Sequence, residues 1–100
     1  MSQDLAIKAN DQARRRIALE RSLIDLDGRM EVKRLQLAQF RAQVDRDRQL
    51  QAEGLLSVEQ FRKSELAEAQ ADVELKQLQA ERANAQLASR AEIDGLVLEM

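Results

Sequence analysis

From Leu19 onward the apolar positions fall at alternating four- and three-residue steps: Leu19, Leu23, Leu26, Met30, Lys33, Leu37, Phe40 and Val44. A repeat of this kind lines one stripe of an α-helix, and holding it for about three and a half heptads is what a coiled-coil seam requires. Lys33 is its one polar member. Asp27-Gly28 is a turn signal inside this stretch, yet Leu26 and Met30 on either side stay in phase, whereas an inserted turn would reset the register. An interior Gly costs only about 1 kcal/mol relative to Ala, so the helix is predicted to continue through Gly28. Upstream, Ser2 or Asp4 offers an N-cap, and Asp4 to Lys8 and Asp11 to Arg15 are helical i,i+4 pairs. The run Arg14-Arg15-Arg16 fits a solvated face. A first helix over about residues 3–53 follows.

The pattern stops at Gly54. Glycine just past a helix, with Leu55 after it and Leu50 one turn before it, is the arrangement of a Schellman ending with its apolar contact. Three residues on, Ser57-Val58-Glu59-Gln60 is a capping box, and Leu56 and Phe61 have the spacing of a hydrophobic staple. Stop and start signals this close force the helices to run antiparallel. The second helix is predicted over about residues 58–91, supported by Glu59 to Lys63 and Asp72 to Lys76 pairs. Folded about a tip at residues 54–57, Val44 is expected to meet Leu66, Phe40 Ala69, Leu37 Val73, Met30 Ala80, Leu26 Ala83 and Leu23 Leu87. Lys33 would then meet Lys76, with both lysines snorkelling outward. At that level a second stripe, Val32 and Leu35 with Leu78 and Leu75, either takes over the seam or packs on a neighbouring molecule. Residues before about position 18 have no partner on the returning helix under this folding.

Beyond Ala91, Asp94-Gly95 signals a turn and Leu96-Val97-Leu98 reads as strand. The chain is therefore expected to be an excerpt that ends at the start of another domain, over residues 92–100. Composition supports an all-α protein built as a long antiparallel two-helix hairpin: 34% of the residues are charged, two are aromatic, and there is no proline. Sixteen basic residues against 18 acidic ones leave no basic field to attract nucleic acid or anionic lipid. No histidine or cysteine is present, which removes thiolate and imidazole metal ligands and the commonest general base. The carboxylates sit among lysines and arginines on exposed faces, without the desolvation that catalysis needs. No cofactor, metal or enzymatic activity is expected, and no apolar run is long enough to insert in a membrane.

Two features carry a family resemblance. Arg46, Leu50 and Ser57 stand at a spacing of Arg, three residues, Leu, six residues, Ser, inside a helix-turn-helix. Ala91-Glu-Ile-Asp94-Gly95-Leu-Val97 is similar to the Ala-Pro-x-Asp-Gly-x-Val entry into the second half of a lipoyl domain, with Glu92 where Pro is usual. The chain resembles, over residues 19 to 100, the α-helical hairpin of HlyD-type periplasmic adaptors, or membrane fusion proteins, of efflux and type I secretion systems. The resemblance implies a periplasmic location and a tip that meshes with a TolC-like outer-membrane channel through Arg46, Leu50 and Ser57. It also implies an inner-membrane transporter reached through domains outside this chain, and sister hairpins side by side, commonly six.

Local structure explains most of the tip by itself. Leu50, Gly54, Leu55, Leu56, Ser57 and Phe61 are what reversing the chain requires. Nothing local requires Arg46. A different class of function, an antiparallel coiled-coil spacer or scaffold arm of a cytosolic protein, needs only the helices. A third, an RNA-contacting arm, is disfavoured by the balanced charge.

Overall fold

A computed structural model describes the backbone of residues 2–99 and the side chains of residues 6–91. The fold is a helical hairpin of the coiled-coil kind: α1, Ser2–Ala52, and α2, Val58–Glu99, are joined by residues 53–57. α1 passes through Gly28 without a break. The N-caps proposed at Ser2 and Asp4 and the Asp4 to Lys8 pair lie outside the described side chains.

The turn forms as the glycine and the capping box dictate. Gly54 has φ +76°, and its N–H donates to the Gln51 carbonyl at 3.0 Å while the Leu55 N–H reaches back to the Leu50 carbonyl at 2.8 Å. These two bonds satisfy carbonyls that the end of α1 would otherwise leave open. At the start of α2 the Gln60 N–H donates to Ser57 Oγ at 3.1 Å, and the Ser57 N–H donates to Gln60 Oε1 at 3.2 Å. Leu56 and Phe61, the staple pair, are half-buried.

The chain divides into two units, Arg29–Gln79, which contains the turn, and the residues up to Gly28 together with those from Ala80. In the turn unit Met30, Leu37, Ala71 and Leu75 are buried as one cluster, with Leu78 packed against it. Val44 and Asp47 are buried further toward the turn, and Lys33 and Gln51 are half-buried. The α1 stripe is thus the predicted one, extended by Asp47 and Gln51; Phe40 is its most exposed apolar member. In the other unit Leu19 and Leu23 are half-buried and Leu26 buried on α1, with Arg82, Ala85 and Ser89 half-buried on α2. No described side chain is completely shut off from solvent, as expected when each helix has one partner.

The face that α2 turns inward differs from the expected one. Leu66, Val73 and Leu87 are 58%, 52% and 63% exposed, and Ala69, Ala80 and Ala83 are exposed too. The inward stripe is instead Phe61, Ser64, Ala67, Glu68, Ala71, Leu75, Leu78, Arg82, Ala85 and Ser89. The levels along the axis follow the predicted folding, since Lys33 pairs with Glu74 and Asp27 with Arg82; the rotation of α2 about its own axis does not. On this face Lys33 meets the Glu74 carboxylate, where the expected face would have set it against Lys76. Lys33 is accordingly half-buried and paired, not snorkelling, and Lys76 is paired with Asp72 at 2.9 Å on its own helix.

The C-terminal stretch differs as well. No strand occurs among the described residues, and α2 runs through Asp94 and Gly95 to Glu99 instead of ending near Ala91. A lone strand has no ladder to join, whereas a helix satisfies its backbone locally at the cost of about 1 kcal/mol for one glycine. The longer α2 extends the returning helix past the point where the predicted one ends. The side chains of the lipoyl-like motif from Glu92 onward lie outside the described residues.

The turn carries a direct prediction. A Cβ on Gly54 would meet nothing within 4 Å, so Gly54→Ala is penalised only through its left-handed backbone. Its expected cost is about 1–2 kcal/mol, and Ser57→Ala should cost about 1 kcal/mol. Thermal melts followed by circular dichroism check both.

Candidate functional site

At the tip a sequence motif coincides with exposed surface, and the tip is built upon a polar layer. Asp47 is only 6% exposed. Its carboxylate accepts a hydrogen bond from Gln43 Nε2 at 2.8 Å on Oδ1 and another from Ser64 Oγ of α2 on Oδ2. A buried carboxylate with donors on both sides is stabilised where an unpaired one would be costly. Beside this layer the guanidinium of Arg48, the next residue along α1, lies over the Phe61 ring, 6.0 Å from its centroid, which ties the last turns of α1 to the first turn of α2. Arg48 Nη1 also lies 3.5 Å from Asp45 Oδ1.

Burying Asp47 turns its neighbour to the outside. Arg46 is exposed, and its Nη2 donates to Gln43 Oε1 at 2.8 Å within its own helix. Leu50 is 37% exposed and Leu55 70% exposed, although the Schellman hydrogen bonds that bracket them are formed. Val58 is exposed as well. Ser57 is exposed and occupied as the N-cap of α2. The tip therefore presents Arg46 and three large apolar side chains to solvent, around a turn held by its own backbone.

The expected flank residues separate into two groups. Leu75 and Leu78 pack inside the hairpin, whereas Val32 and Leu35 are exposed on α1. The two pairs do not face each other, because α2 is rotated relative to the expected arrangement. Across the seam Arg41 lies near Glu68 and Asp72, at 3.7 and 3.9 Å. In the other unit Arg82 Nε donates to Asp27 Oδ1 at 2.5 Å. That hydrogen bond, and then the charge of Asp27, raise the Arg82 pKa above its usual value. On the arginine's side the stabilisation is fully present below its unfolded pKa and is lost as pH rises through the higher folded value. Base titration over the ordinary working range leaves this contact in place.

Asp47, Ser64 and Gln43 are the members of the tip that sequence reading missed. The signal was present: Asp47 lies one seam step beyond Val44, so extending the repeat by one position finds it. Among the described residues no group of three or more His, Cys, Asp or Glu side chains could hold a metal ion, and no helix is long and apolar enough to cross a membrane. No family model matches the chain, and no curated protein or solved structure matches it.

The polar layer makes opposite predictions for its two helices. Ser64→Ala removes one donor from a buried carboxylate and should cost about 1–3 kcal/mol. Asp47→Leu removes the charge itself and should be neutral or stabilising. Chemical denaturation of the two variants and the parent chain tests the asymmetry.

Proposed function

We propose that this chain is the helical hairpin of a periplasmic adaptor of the HlyD type. It docks its tip on a TolC-like outer-membrane channel, packs beside sister hairpins, and connects the channel to an inner-membrane transporter through further domains. The observation that carries this reading is the Arg46, Leu50, Ser57 spacing in a hairpin whose turn leaves Arg46 and Leu50 at the surface. Leu55 and Val58 enlarge the proposed docking surface, since neither is buried by the turn that they help to form. Lateral packing draws support from the exposed apolar side chains on the outer sides of both helices, Val32 and Leu35 on α1 and Leu66 and Val73 on α2. In this role the hairpin transmits position and performs no chemistry.

Arg46 is the residue to test, because its only hydrogen bond described above is to Gln43 of its own helix and the turn is complete without it. Arg46→Asp in the full-length protein should abolish export while the helicity of the hairpin stays that of the parent. Unchanged export would rule out the assignment of the tip. A spacer arm with no channel partner predicts that unchanged result.

A further inference from the structure

α2 bears two stripes with coiled-coil spacing, and only one of them faces α1. The inner one in the turn unit is Phe61, Ser64, Ala71, Leu75 and Leu78; the outer one is Leu66, Ala69 and Val73. Apolar content alone does not choose between them, since the inner stripe carries Phe61, Ala71, Leu75 and Leu78 and the outer one Leu66, Ala69 and Val73. Coiled coils in this position are commonly decided by a polar member of the seam, which tolerates one partner and rejects another.

Lys33 is that member. On the inner face its Nζ meets Glu74 Oε2 of α2, and it donates to Gln36 Oε1 of its own helix at 3.0 Å. Its side chain is 21% exposed, so its stem lies in the seam while its ammonium pairs with Glu74 at the edge. If α2 turned its outer stripe inward, the same heptad would bring Lys76 to the level of Lys33 and set two ammonium groups against each other. Asp47 does not discriminate in this way: Ser64 serves it on the inner face, and Arg62 lies on the outer stripe at its level.

We propose that Lys33 is the face selector of the hairpin: its pairing with Glu74, and its repulsion by Lys76, decide which side of α2 is inside. The selection keeps Leu66, Ala69 and Val73 at the surface. It concerns the folding of the hairpin alone and stands whether or not the tip docks on a channel.

The chain contains no cysteine, so single cysteines report the face cleanly. Ala71 is buried and Val73 is exposed. In the parent background a maleimide should therefore modify the Ala71→Cys variant about tenfold more slowly than the Val73→Cys variant. Lys33→Glu places a carboxylate opposite Glu74 and favours Lys76, and the order of the two rates should reverse. Adding Glu74→Lys together with Lys76→Glu restores complementary charges on the inner face and should restore the original order. Rates that keep their parental order in Lys33→Glu overturn the proposal, as does a reversed order that the triple exchange fails to restore. Should Lys33→Glu lose its helicity by circular dichroism, Lys33→Leu is decisive: similar rates at the two positions support the selection, and the parental order overturns it.

Discussion

Two long helices with only each other to pack on can bury one narrow stripe apiece, and that constraint shapes the rest of the molecule. Every seam position counts, because no sheet or third helix lies among the described residues to cover a misplaced side chain. Polar members of the stripe must then be answered from the opposite helix. Lys33 is met by Glu74 and Asp47 by Ser64, at two separate levels of the turn unit. In a large globular core such pairs would be a minor detail; beside a buried cluster as small as Met30, Leu37, Ala71 and Leu75, each polar member weighs heavily.

The turn answers a second demand, that α1 end and α2 begin within a few residues without open backbone groups. Gly54 supplies the left-handed residue, Leu50 and Gln51 give up their carbonyls to the turn, and Ser57 and Gln60 cap α2 reciprocally. Because the backbone does this work, the side chains around it are released. Leu50, Leu55 and Val58 stay exposed, and Arg46 keeps to its own helix. A turn closed by hydrogen bonds and not by apolar burial is one that can offer its apolar side chains to something else.

How much of this was legible in the sequence differs between the two helices. The stripe of α1 could be read because it has no rival of equal regularity, and the turn because Gly54 and the Ser57 to Gln60 box are local signals whose chemistry does not depend on the rest of the chain. The face of α2 was misread because Leu66, Ala69, Val73, Ala80, Ala83 and Leu87 form a stripe as regular as the one that packs, and periodicity is blind to rotation. The one clue was the clash of Lys33 with Lys76, which marks the wrong face once charge is weighed with apolar spacing. Leu96-Val97-Leu98 reads as strand by composition, but strand formation needs a partner that no local signal supplies, and the helix prevails. At the tip, Asp47 went unseen because a carboxylate is an unexpected seam residue until its donors Gln43 and Ser64 are found beside it.

The proposed docking rests on a surface that local structure does not consume, and it is best tested where that surface is most exposed. A photo-activated cross-linking residue at Leu55 of the full-length protein, illuminated in intact cells, samples whatever the tip touches. The account predicts an adduct with a TolC-like outer-membrane channel, absent when the same residue replaces Glu81 far from the turn. Recovery of the Leu55 variant free of that channel, or joined to it no more often than the Glu81 variant, would contradict it.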